Sequence, residues 1–158
     1  MAREYAAHIY EAIEDALNAE ELKFKGDPEE GQFTFGFNLK GMVDHCDMKI
    51  RVNDEHFLVY AYIKNNANEE HRLAVADFIS RANYGLRNGN FELDMRDGEI
   101  RYKCFVDCGE GGFSLPDPAI ISKSVFIPPQ MIQRYGGGLM GVMFGFQTAE
   151  DAIKEIEG

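Results

Sequence analysis

Phe91-Glu92-Leu93-Asp94-Met95-Arg96-Asp97-Gly98-Glu99-Ile100-Arg101-Tyr102-Lys103-Cys104 is the stretch whose reading decides the fold. Phe91, Leu93 and Met95 alternate with Glu92, Asp94 and Arg96. Ile100, Tyr102, Cys104 and Val106 then alternate with Arg101, Lys103 and Phe105. A period of two belongs to a strand with one apolar face. Asp97-Gly98 between two such runs predicts a hairpin closed by a two-residue turn. That turn would pair Arg96 with Glu99, Asp94 with Arg101, and Glu92 with Lys103. Each pair is opposite in charge and adds only about 0.2–1 kcal/mol. Their larger effect is on register, because a slip of one residue would turn the charges onto the apolar face.

Upstream of the hairpin the chain reads as a helix. Asn68 is placed as its N-cap, with Glu69 and Glu70 in the first turn, where the helix dipole favours anions. Leu73, Ala76, Ile79, Ala82 and Leu86 follow at helical spacing, broadened by Val75 and Phe78, and Asn88-Gly89 stops the run. Three strands precede it. Phe33, Phe35, Phe37 and Leu39 alternate with polar residues, as do Met42, Cys46, Met48, Ile50 and Val52. After a turn at Asn53-Asp54-Glu55, Phe57 to Ile63 is apolar without alternation, as in a strand covered on nearly both faces. Short connections make these an antiparallel meander. The N-terminus reads as an amphipathic helix over about residues 3–22, with Tyr5, Ile9, Ala12, Ile13, Ala16 and Leu17 on one side. Gly26-Asp27-Pro28 breaks that pattern.

Downstream, Asp117-Pro118 opens a helix to about Ile127. Pro128-Pro129 should stop it and start another, and Gly136-Gly137-Gly138 should interrupt or fray that one. Thr148 caps a last helix over 149–157. The expectation is an α+β fold: an antiparallel sheet of about five strands (three-stranded meander, helix, hairpin) with N-terminal, central and C-terminal helices packed on it. All 158 residues fall in a single domain.

Charge narrows the function. The net charge is −11, from 16 Lys and Arg against 27 Asp and Glu, which argues against nucleic acid and anionic lipid as partners. The acid is uneven: residues 1–30 carry −6, residues 31–106 carry −1 and residues 107–158 carry −4. Residues 1–22 lack the apolar core of a secretory signal, and the longest apolar run, 139–146, is too short to cross a bilayer. Cys46, Cys104 and Cys108 are odd in number and form no C-x-x-C, which points to reduced thiols in a cytoplasm.

No constellation carries chemistry. Gly136, Gly138 and Gly141 satisfy G-x-G-x-x-G but follow a helical run rather than a strand, so close helix packing or a kink is the better reading. Asp44-His45-Cys46-Asp47 holds four ligand types, yet a strand sends them to opposite faces, two each, short of a zinc site. No serine lies in G-x-S-x-G and no histidine is placed to activate a thiol. The expectation is no catalytic residue, no metal and no cofactor. Met140, Met143 and Phe144, in the methionine-rich C-terminal run, are the candidate partner-binding residues, set against ordinary core packing.

Ala82-Asn83-Tyr84-Gly85-Leu86-Arg87-Asn88-Gly89-Asn90-Phe91-Glu92-Leu93-Asp94, followed by Asp97-Gly98-Glu99-Ile100-Arg101-Tyr102, resembles the central signature of YbjN-domain proteins. These are described as bacterial sensory-transduction regulators. The order of elements is also similar over most of the chain, with residues 82–108 the most specific part. The resemblance implies a fold similar to type III secretion chaperones, which are small, acidic and usually dimeric, and it carries no catalytic residues with it. It implies a non-enzymatic, cytoplasmic, homodimeric module that binds a protein or peptide in bacterial signalling or stress response. The alternative is a small-molecule-binding protein or enzyme with an unrecognised pocket.

Overall fold

The computed structural model describes residues 2–158. The order is α1 (Ala7–Ala19), β1 (Lys25–Asp27), β2 (Gln32–Asn38), β3 (His45–Val52), β4 (His56–Tyr62), α2 (Arg72–Gly85), β5 (Asn90–Leu93), β6 (Ile100–Asp107), α3 (Pro118–Met143) and α4 (Ala149–Glu157), with a short 3-10 turn at Glu110–Gly112. This is the expected α+β class. The sheet has six strands in the order β1-β2-β3-β4-β6-β5, every neighbour antiparallel. The sixth strand is β1, where a chain break was expected. Gly26 lies inside it because a Cβ there would sit 2.5 Å from the Tyr10 hydroxyl. The glycine marks close approach of α1, one of the reasons glycine enters strands.

The register places Phe33, Ile50, Val59 and Cys104 in one row across the sheet, with Met48, Ala61, Tyr102 and Phe91 in another. These side chains share one face and join α1, α2, α3 and α4 in one continuous core. No side chain from the opposite face of β2–β6 belongs to that core. All four helices therefore cover a single face. For β4 the expectation of cover on both faces or nearly so holds in part: Phe57, Val59 and Ala61 are fully buried and Tyr60, on the other side, is 9% exposed, while Leu58 and Tyr62 are only half-buried.

The hairpin keeps its expected faces but not its register. Leu93 pairs with Ile100 and Glu92 with Arg101, two residues from the expected pairing. The connection is a four-residue loop, Met95 to Gly98, closed by Gly98 N–H donating to Asp94 O (2.7 Å) and Asp94 N–H to Glu99 O (2.9 Å). Gly98 turns the chain at φ 81°, and Asp97 does not share the positive φ that a two-residue type I′ turn requires. The Asp97 carboxylate instead accepts from Glu99 N–H. Because the shift is by two residues, each side chain keeps its face.

Two helices also depart from expectation. Asn68 Oδ1 accepts from His71 N–H (2.9 Å), so Asn68, Glu69 and Glu70 form a turn ahead of α2 rather than its start. Leu73 is then 76% exposed, and Val75, Phe78, Ile79 and Ala82 make the buried stripe. At the C-terminal side α3 is one helix of 26 residues that runs through Pro128, Pro129 and all three glycines of 136–138. The prolines remove two intrahelical donors, those that would reach the carbonyls of Ser124 and Val125. They are tolerated because both rings are buried, in a helix whose Ile121, Val125, Ile132 and Leu139 are core residues. Thr148 caps α4 as expected, its Oγ1 accepting from Asp151 N–H.

Candidate binding face and sheet edge

The uncovered face of the sheet is built in rows. Glu92, Arg101, Tyr62, Asp47 and Gly36 face outward side by side, and Asn90, Lys103, Tyr60, Lys49 and Thr34 form the next row. Phe105, Leu58, Arg51 and Gln32 form a third. With Lys25 and Asp27 of β1 extending the second and third rows, five cations here stand against the carboxylates of Asp27, Asp47, Glu92 and Asp107. In a chain of net charge −11 this is a locally cationic patch.

Glu92 organises one end of it. Its carboxylate accepts from Arg101 Nε (2.8 Å) and from Lys103 Nζ (3.0 Å). Burial pushes the Glu92 carboxyl upward, but the hydrogen bonds from Lys103 and Arg101 outweigh it and hold the group below its ordinary value. The Arg101 guanidinium also lies 4.4 Å over the Tyr60 ring, a cation–π contact. Cover from Arg101 and Tyr62 in the neighbouring row explains why Tyr60 is 9% exposed though it is outside the core. Phe105 packs on His56, ring centroids 4.9 Å apart, and stays 57% exposed. Lys49 and Arg51 enter none of the ion pairs among the described residues.

The same face borders an incomplete edge. β1 pairs only with Gln32, Phe33 and Thr34 of β2. Val52 N–H donates to Gly31 O at one end of the β2–β3 ladder, and Leu39 N–H to Asp44 O at the other. Alternation along the ladder therefore turns odd-numbered residues of β2 toward β3 and even-numbered ones outward. Gln32 and Thr34 meet β1, whereas Gly36 and Asn38 face an edge with no strand on it. Beside this edge, on the helical side, Phe37, Leu39, Phe126 and Pro129 line a cleft of about 160 Å³ with Gln130 and Gln133.

Of the candidate contact residues, Met140 and Met143 are 4% and 2% exposed and belong to the core, which withdraws them from any partner. Phe144, just past the end of α3, is 49% exposed. The glycines of the G-x-G-x-x-G pattern serve packing. A Cβ on Gly136 would lie 2.9 Å from Val43 Cγ2, on Gly138 2.6 Å from Ile156 Cδ1, and on Gly141 2.7 Å from Gln147 Oε1.

His45 and Asp47 are joined on the open face (3.0 Å), with Cys46 buried on the other, and no group of three or more potential ligands gathers among the described residues. All three thiols are free and buried. Desolvation pushes Cys46 up to about 11 and Cys104 to about 12, and raises Cys108. A groove of about 460 Å³ between α1 and the start of α3, lined by Ala12, Ala16, Ala19, Leu115, Pro118 and Ile121, has Asp15 as its one ionisable lining residue. No described helix is long and apolar enough to cross a membrane.

Sequence reasoning missed the open face as a unit, since Lys49, Arg51, Arg101 and Lys103 lie on strands that only the register makes neighbours. Comparison with protein-family models finds none that matches the chain, and comparison with curated proteins likewise finds no match.

Proposed function

We propose that this protein is a non-enzymatic binding module, akin to YbjN-domain regulators, that holds another protein against the open face of its sheet. One observation carries the reading: a whole face of a six-stranded sheet lacks helical cover and sets Tyr62, Leu58 and half-exposed Phe105 on the same surface as Lys49 and Arg51, which enter no ion pair among the described residues. Antiparallel sheets can keep one face in water. Phe105, 57% exposed, stands in one outward row with Leu58 and Arg51 and gives this face an apolar side chain beside a cation. The partner this face fits is an acidic surface with apolar side chains. The global negative charge repels such a partner elsewhere on the molecule and leaves this face as its landing site. Free, strongly desolvated thiols support residence in a reducing compartment such as the cytoplasm. The resemblance over residues 82–108 supports a regulatory, homodimeric module of type III chaperone-like fold.

The test is affinity capture from native lysate with the wild-type chain and with the double charge reversal Lys49→Glu/Arg51→Glu. The expected result is one specific partner, retained by the wild type and lost by the variant. Equal capture by both, or a tight small-molecule ligand with no protein partner, would refute the reading.

A further inference from the structure

The edge of β2 carries an inference independent of the open face. Gly36 and Asn38 each direct an N–H and a C=O outward, and β1 stops at Lys25, opposite Thr34. Four main-chain hydrogen-bonding groups thus sit in solvent on a strand whose inner edge is fully paired. Unpaired edges of this kind are templates for another strand. Gly36 has no side chain to shield it, and both residues are exposed.

We propose that the outer edge of β2, from Phe35 to Leu39, receives an extended acidic peptide as an additional antiparallel strand, end to end with β1. Geometry sets what such a peptide must carry. Its residues opposite Gly36 and Asn38 exchange hydrogen bonds and point to the open face. Its residues opposite Phe35, Phe37 and Leu39 point to the helical side, where Phe37, Leu39, Phe126 and Pro129 form the apolar cleft. Alternate positions are therefore apolar. Charge sets the rest. Lys25 and Lys40 lie exposed at the two ends of the open segment, Lys23 is exposed just before β1, and none of the three is in an ion pair among the described residues. Glutamates between the apolar residues complement them, the carboxylate next to Gly36 in its row, Asp47, being hydrogen-bonded by His45 (3.0 Å), whereas a second copy of the same edge would bring lysines against lysines.

The experiment uses a fluorescein-labelled, end-blocked decapeptide of alternating valine and glutamate, titrated with the full chain and read by anisotropy. Four comparisons accompany it: the same peptide N-methylated at the glutamates, a valine–lysine peptide, the Asn38→Pro variant and the Lys49→Glu/Arg51→Glu variant. Proline at 38 removes an outward donor and leaves the β2–β3 ladder intact, as edge strands permit. The expected result is saturable binding of the valine–glutamate peptide, loss of binding on N-methylation, and at least tenfold weakening for the lysine peptide and for Asn38→Pro. Amide exchange at Gly36 and Asn38 should slow when the peptide is bound. Absence of binding at millimolar protein would mean that the lysines only guard the edge, and would overturn the proposal. So would binding indifferent to N-methylation, a comparison that needs no variant to fold. Binding abolished by Lys49→Glu/Arg51→Glu but unaffected by Asn38→Pro would place the peptide on the open face and overturn the edge assignment alone.

Discussion

Gly98 closes the β5–β6 loop at φ 81°, and a Cβ added there would lie 2.0 Å from the carbonyl oxygen of Ala67. That oxygen is main chain and cannot swing aside. The Gly98 carbonyl also accepts from Ala67 N–H at 2.8 Å, which ties the loop to the segment leading into α2. Gly98→Ala therefore has three costs. Left-handed backbone in an alanine costs about 1–2 kcal/mol. Displacing a packed segment costs about 1–3 kcal/mol. Weakening one buried hydrogen bond adds about 0.5–1.5 kcal/mol. The expected loss is about 3–6 kcal/mol, or roughly 10 °C or more in Tm for a chain of this length.

Urea unfolding followed by circular dichroism measures it, with Gly137→Ala as internal control. Gly137 lies inside α3 with open space where a Cβ would go, so alanine there should stabilise by about 0.5–1 kcal/mol. Asp97→Gly separates the two hairpin readings. A two-residue turn would gain from glycine at 97, while the four-residue loop loses the Asp97–Glu99 hydrogen bond and about 0.5–1 kcal/mol. A Gly98→Ala protein within about 1 kcal/mol of wild type, a gain for Asp97→Gly, or a loss for Gly137→Ala would refute the reasoning.

Met140→Ala should cost about 2–5 kcal/mol in the same unfolding assay, whereas Phe144→Ala should stay within about 1 kcal/mol, because only the first leaves a cavity in the core. Cys46 and Cys104, raised to about 11 and 12 by burial, should resist a thiol-specific disulfide reagent at pH 8 in the folded chain and react at once in denaturant. Glu92 has a lowered folded-state value, so its charge stabilises the fold above the ordinary glutamate range, and that contribution is lost as pH falls through the lowered folded value. The stability gap between wild type and Glu92→Gln should be about 1 kcal/mol at pH 7 and shrink below about pH 4; a gap that widens on acidification would contradict the sign.

The parts of the fold legible in the sequence are those set by a strand's or helix's own side chains. Alternation at Phe33–Phe37, Cys46–Val52 and Ile100–Cys104 assigned the buried face correctly, since a period of two needs no knowledge of neighbours. The misread parts depend on what lies opposite. Ending a helix at Pro128-Pro129 follows local propensity, yet Ile121, Val125, Pro128, Ile132, Tyr135, Leu139 and Met143 recur three or four apart and are all buried. Read as one phase, that stripe carries Met143 into the core, and Met140 one residue after Leu139 follows it; broken at the prolines, the phase is lost and the methionines look free. Here tertiary burial overrides a propensity penalty of about 3 kcal/mol per proline. The edge is harder still, because a strand's own sequence does not say where its partner stops. The one local trace is Gly36, a glycine in the middle of an aromatic strand, where a Cβ would meet the His45 ring at 2.7 Å. Such a glycine marks close approach by a side chain or by another backbone. On β2 the first is already present at His45, and the outward main chain of Gly36 and Asn38 leaves room for the second.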